Sequence, residues 1–246
     1  MTLFYLIAIV LTVATCALLT MERIYRIQQR SSVVMVASGI LLSAAILIVV
    51  PPVYNFVDSL MPVPNGADLV ERTFAYLAVS LLGVHLSFAY KSPLATRLVA
   101  GKGGVIALVS TLALAFIAFN LTKTSEPSPQ LVAYADQPSV QFFNWITTAY
   151  VAYIVGPFVV PAFKDVQANA LRLGRIASRL MAIGFLVSAL RPFTYFFEIP
   201  LGLWYVGQTA TTISTLLVVV GLGLYAYVQS RRIVGTERET SMLNID

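Results

Sequence analysis

Residues Gly103 to Leu121 read GGVIALVSTLALAFIAFNL, nineteen consecutive positions without a charge, flanked by Lys102 and Lys123. Wound as an α-helix at about 1.5 Å per residue, this stretch is about 28 Å long, which matches the hydrocarbon core of a bilayer. Outward from it, six further segments meet the same demand for about 20 apolar residues: roughly 2–20, 33–53 and 68–90 before it, and 141–163, 176–197 and 204–229 after it. The composition agrees, with 58% hydrophobic and only 11% charged residues and a mean hydropathy of +0.82. A soluble domain carries about a quarter charged residues, so an ordinary cytosolic enzyme is excluded. The expected fold class is all-α: an integral membrane bundle of seven transmembrane helices over 1–229, followed by a short cytoplasmic tail, 230–246.

The first segment lacks a basic leading region and a small-residue cleavage site, and Arg23, Arg26 and Arg30 follow it. It therefore reads as a retained span and not as a signal peptide. Twelve of the 16 basic residues fall in alternate connectors, three in each: Arg23, Arg26, Arg30; Lys91, Arg97, Lys102; Lys164, Arg172, Arg175; Arg231, Arg232, Arg238. The opposite connectors hold only Lys123. By the positive-inside rule the N-terminus is expected outside and the C-terminus inside. The net charge of +5 thus reports orientation, and no nucleic acid partner is expected.

Several chemistries are removed by counting. The single cysteine, Cys16, allows neither an intrachain disulfide nor a CxxC site, and the single histidine, His85, cannot supply paired haem ligands or a zinc cluster. Retinal needs a lysine near the middle of the last span, and that span has none. Gly101-Lys102-Gly103-Gly104 lacks the spacing of a phosphate loop. Paired aspartates, a Ser and His dyad and HExxH are missing from the spans, so an intramembrane protease is not expected either. No enzyme, cofactor or metal is expected.

Polar groups at membrane depth are expensive and mark candidate sites. Glu71 and Arg72, with Asp68 one turn earlier, open the third span after the Pro64-Asn65-Gly66 turn, where the carboxylates also suit the helix dipole. His85 lies deeper in the same span. Arg191 precedes Pro192 near the end of the sixth span, and Glu198 follows seven residues later; the arginine is expected to snorkel outward or to join an acidic partner. Arg172, Arg175 and Arg179 form one stripe suited to anionic lipid. Two helices carry polar stripes at helical spacing, Asn144 with Thr147 or Thr148 and Tyr150 or Tyr153, and Gln208 with Thr211 or Thr212 and Thr215. Such stripes serve interhelical packing or line a hydrated path. The candidate intramembrane site is therefore Glu71, Arg72, His85, Asn144, Arg191, Glu198, Gln208 and Thr212. Thr122 to Val140, rich in proline, is expected to be a surface loop, and Gly156-Pro157 with Pro161 to kink the fifth span. An echo between Pro52-Val53-Tyr54-Asn55-Phe56-Val57-Asp58 and Pro192-Phe193-Thr194-Tyr195-Phe196-Phe197-Glu198 raises a parallel repeat of spans 1–3 and 5–7, against the alternative that membrane interfaces favour these residues anyway.

At Pro51-Pro52-Val53-Tyr54-Asn55-Phe56-Val57-Asp58-Ser59-Leu60 and Pro64-Asn65-Gly66-Ala67-Asp68-Leu69 the chain resembles a family of actinobacterial seven-helix membrane proteins. Its members carry P-P-V-Y-x-x-x-D-x-L and then P-N-x-A-x-L between their second and third helices. They bear a transporter label that rests on topology, and many continue into an intracellular C-terminal domain, which is not expected in the short tail 230–246. They are often encoded beside regulators or metallopeptidase-like proteins on mobile elements. The resemblance implies a multi-pass protein of a bacterial plasma membrane. The leading functional expectation is a non-enzymatic module that senses, binds or modulates a membrane or cytoplasmic protein partner, in contact with membrane lipids and compatible with a homo-oligomer. The alternative is a small-solute transporter with its site between spans 3, 5, 6 and 7.

Overall fold

The computed structural model describes residues 10–18, 20–21, 33–198 and 204–243, and within them the only regular structure is helical. We label the helices α1 (10–18), α2 (Val33–Ile48), α3 (Pro51–Ser59), α4 (Gly66–Ala89), α5 (Lys102–Asn120), α6 (Pro138–Ala168), α7 (Arg172–Glu198) and α8 (Trp204–Leu243). The first expected span lies only partly in the described residues, and Arg23, Arg26 and Arg30 lie outside them. Five helices, α4 to α8, are long and apolar enough to cross a membrane, and a sixth crossing exists if α2 and α3 together form one span.

Proline decides the main departure from expectation. The second segment does not run straight from 33 to 53. It stops at Ile48, and α3 leaves at 95° to α2. Val50, which precedes the Pro51-Pro52 pair, is extended at φ −73° and ψ 124°, and Pro51 starts the new helix. A residue before proline is driven out of the helical region, while proline itself suits the first helical position. The prolines at 157 and 161 act differently, because α6 passes through both, and Pro192 likewise sits inside α7. The two echoing motifs therefore take different structures, a broken helix at Pro52 and a continuous one at Pro192.

The side-chain pairing gives the packing. Arg72, Tyr76 and Ser80 of α4 meet Asn144, Thr147 and Tyr150 of α6 in the same ascending order, so these helices run parallel. Arg191 meets Thr211 and Ser188 meets Ser214, which makes α7 and α8 antiparallel. These two approach closely at glycines: a Cβ on Gly184 would lie 2.8 Å from the Ser214 carbonyl oxygen, and one on Gly221 would lie 2.9 Å from that of Ala177. Small residues of this kind let helices approach where lipid offers no hydrophobic drive. The core between α4, α6 and α7 is aromatic, with Tyr76, Phe143, Phe158 and Phe185 all buried. By contrast α5 turns Val105, Ile106, Val109, Phe116 and Ile117 outward. Only 28% of its most apolar window is buried in the chain. Apolar faces that the protein leaves uncovered to this extent are what a lipid-embedded bundle presents.

The segment between α5 and α6 is more than a surface loop. Its 3-10 turn, Pro129–Tyr134, pushes Leu131 into the core, where it is 0% exposed. Gln130 and Leu131 adopt positive φ, 59° and 54°. Backbone so disfavoured persists only when its surroundings hold it. The anchors are Asp68, whose carboxylate accepts the Gln130 N–H at 2.8 Å, and Asn65, whose Oδ1 accepts the Ser128 N–H at 2.6 Å.

Candidate functional site

Four helices bring polar side chains to one cavity of about 50 Å³. Arg72 comes from α4, Asn144, Thr147, Thr148 and Val151 from α6, Ser188, Arg191 and Tyr195 from α7, and Gln208 and Thr211 from α8. At about 10–15 Å³ of such space per water molecule, the cavity holds only a few waters or one small solute.

The two arginines are fixed from several directions. Arg72 donates from Nη2 to Asn144 Oδ1 at 2.9 Å, its Nε lies 3.2 Å from Glu71 Oε2, and its guanidinium stands 5.6 Å from the centre of the Phe143 ring. Both members of the Glu71–Arg72 pair are withdrawn from the surface, at 9% and 12% side-chain exposure. Arg191, 4% exposed, donates from Nε to Thr211 at 2.9 Å and from Nη1 to Thr194 at 3.2 Å. It does not snorkel, because these hydroxyls on α8 and on its own helix turn the guanidinium into the bundle. A guanidinium donates and never accepts, so both groups call for acceptors.

The hydroxyls supply some of them. Thr147, Thr148 and Thr211 donate to the carbonyls of Phe143, Trp145 and Gly207 on their own helices, which leaves their lone pairs for other donors. The Asn144 and Gln208 amides both line the cavity. Among the described residues, neither the Asn144 amide nitrogen nor the Gln208 side chain bonds to another protein group. These are the groups most open to a guest.

Away from the cavity toward the C-terminal end of α6, the α4–α6 contact continues as a polar ladder. Tyr76 donates to Thr147 at 2.8 Å, and Tyr150 donates to Ser80, whose own proton goes to the Tyr76 carbonyl. The ladder ends at Ile154, Phe158 and Phe185, each at most 1% exposed. These buried apolar side chains lie between the cavity and the end of the bundle that carries Lys91, Arg97, Lys164, Arg172 and Arg175.

Of the eight residues singled out from sequence, Arg72, Asn144, Arg191 and Gln208 share this cavity, and Glu71 reaches it through Arg72. Thr212 donates to the Gln208 carbonyl and does not line it. His85 sits half-buried in the other half of α4. The Glu198 side chain lies outside what the structure describes. Sequence reading missed Tyr76 and Ser80, although the spacing Arg72, Tyr76, Ser80 is the same four-residue stripe that picked out α6 and α8. It also missed Ser188 and Tyr195. Arg172, Arg175 and Arg179 form a separate surface concavity of about 330 Å³ with Ile176, all of it on α7.

The motif that carries the family resemblance has a structural role. The Tyr54 hydroxyl lies 2.7 Å from Asn65 Oδ1 and 2.9 Å from Asp68 Oδ2, and Asp58 accepts the Ala67 N–H at 3.2 Å. Together with the Ser128 and Gln130 amides, these residues clamp the 122–137 loop to the start of α4. No family model, no curated protein and no solved structure matches this chain. The functional reading accordingly rests on the cavity.

Proposed function

We propose that the protein is a seven-span, non-enzymatic protein of a bacterial plasma membrane, N-terminus outside, that binds a small polar solute in this cavity and passes it across the bilayer. The observation that carries the reading is the convergence of Arg72, Asn144, Arg191 and Gln208 from four helices on one small space. Polar groups inside a bundle serve packing unless they share a space that a guest can enter, and here, among the described residues, the Asn144 amide nitrogen and the Gln208 side chain line that space without a bond to another protein group. On the proposed orientation the cavity opens in the outer half, and Ile154, Phe158 and Phe185 form the inner barrier. This arrangement favours the transport alternative over the partner-modulating one. Lipid contact remains part of the reading, with Arg172, Arg175 and Arg179 toward the anionic inner leaflet.

The test is uptake of radiolabelled formate and of radiolabelled urea by proteoliposomes containing the purified protein. The wild type is expected to exceed empty liposomes for at least one solute. Gln208→Leu and Asn144→Leu are expected to return uptake to the empty-liposome rate while keeping the wild-type elution volume. Wild-type uptake in both leucine variants would remove the cavity from the function and favour a partner-binding module.

A further inference from the structure

The chemistry around Arg72 narrows the solute, on the assumption that the cavity is the solute site. A carboxylate, Glu71 Oε2, already lies 3.2 Å from Arg72 Nε. A planar anion with two oxygens would use this same guanidinium, since paired N–H groups match carboxylate and nitrate geometry. Across the cavity Arg191 presents the second guanidinium, and the Asn144 and Gln208 amides add neutral donors. The volume of about 50 Å³ suits an anion of formate or nitrate size.

We propose that the cavity takes a small monovalent anion between Arg72 and Arg191, and that Glu71 accepts a proton as the anion engages Arg72, so that anion and proton move together. An anion that takes over Arg72 deprives the Glu71 carboxylate, only 9% exposed, of the arginine that holds it, and a buried carboxylate left without its counter-charge is costly. A proton on Glu71 removes that cost. The proton leaves solvent and ends on the Glu71 carboxylate, which releases its hold on Arg72 Nε; no covalent bond to the anion forms.

The surroundings single out Glu71. On its own helix it neighbours Asp68, Arg72 and Tyr76. Asp68 is committed to the Gln130 N–H and the Tyr54 hydroxyl. From α3 come Tyr54 and Asp58, the latter engaged with the Ala67 N–H. The stretch Val33–Ile48 of α2 carries no ionisable side chain. Tyr150, the first ionisable group along α6, is bonded to Ser80, and α7 contributes Arg191 and Tyr195, both lining the cavity. Between Gln208 and Val219, α8 has no ionisable residue. Glu126 of the loop acts here through its backbone, accepting from Asn65. Among the described residues, Glu71 is thus the one carboxylate in this group held only by an arginine the anion would share.

The experiment is titration calorimetry of the purified protein with sodium nitrate, sodium formate and urea. Each is run in PIPES and in imidazole at the same pH and ionic strength. Proton uptake makes the observed heat depend on the ionisation enthalpy of the buffer. The expected result is nitrate or formate binding with uptake of one proton per anion. By linkage the affinity then weakens as pH rises, by up to about tenfold per pH unit. Glu71→Gln is expected to bind the anion with no buffer dependence, and Arg72→Gln to lose at least tenfold in affinity. Anion binding by the wild type without buffer dependence overturns the coupling and leaves the solute site standing. Binding of urea but of neither anion overturns the anion assignment. No binding of any probe, together with no liposome uptake, overturns the solute site itself. The wild-type comparison decides the coupling even if Glu71→Gln fails to fold.

Discussion

Asn65 shows how much a single side chain does in this molecule. It is 0% exposed and sits at φ 62°, a conformation that asparagine tolerates better than most residues. Its amide accepts from Ser128 and Tyr54 and donates to the Glu126 carbonyl, so it joins α3, the start of α4 and the 122–137 loop. Two substitutions separate its backbone and side-chain roles. Asn65→Gly keeps the left-handed turn and loses the bonds, and is expected to destabilise by about 1–3 kcal/mol for the groups left buried and unpaired. Asn65→Ala adds the strain of a positive φ and should cost about 1 kcal/mol more. Thermal unfolding in detergent checks the order; equal melting temperatures for the two variants would show that the turn conformation contributes nothing. Tyr54→Phe, which removes one hydroxyl from the same network, is expected to fall between wild type and Asn65→Ala. None of this was legible in the sequence. Asp68 was read as a partner of its own helix dipole, because its contacts, Tyr54 aside, come from a loop about sixty residues later, and spacing along one helix carries no sign of them. Arg72, Asn144 and Gln208 were legible, since a polar residue on an apolar helix stands out at any distance from its partner.

At the scale of the element, length and hydropathy placed the five helices α4 to α8 well, and prolines were the weak point. The run 33–53 is apolar enough to fill one span, and that length concealed the break at Pro51-Pro52. Pro157, Pro161 and Pro192 lie in continuous helices, so a proline alone does not announce a break. What distinguishes Pro51 is a preceding residue, Val50, that goes fully extended. The pairing of α7 with α8 was likewise invisible, because glycines in an apolar run read only as composition. The structure gives them a position: Gly184 packs on Ser214 and Val218, and Gly221 on Ala177 and Met181. Gly184→Val would drive its branches into the Ser214 carbonyl of α8 and force the helices apart, with a cost of about 1–3 kcal/mol, typical of overpacking. Ala113→Val is the control, since Ala113 lies on the exposed side of α5. The expected outcome is a lower detergent melting temperature for Gly184→Val alone. Because Ser188 and Arg191 follow on the same contact, that variant should also reduce solute uptake.

At the scale of the whole molecule the two ends differ in kind. One end carries the clamped loop and the cavity with its buried arginines; the other carries the exposed arginines of α7 with Lys91, Lys102 and Lys164, and the apolar side chains of Ile154, Phe158 and Phe185 lie between. If the positive-inside rule holds, the first end faces out. The exposed residues Ser125 and Ala170 lie at opposite ends, and Cys16 is buried, so single cysteines can report the orientation over a low background. In a Cys16→Ser background, Ser125→Cys is expected to react with a membrane-impermeant maleimide in intact spheroplasts. Ala170→Cys should react only after the membrane is permeabilised. The reverse pattern would invert the bundle and place the cavity on the cytoplasmic side, so that a solute and a proton entering it would be leaving the cell. Labelling of both in intact spheroplasts would mean that the segment between them does not cross the membrane. That outcome would contradict α6 as a span and, with it, the inner barrier that makes the cavity one-sided.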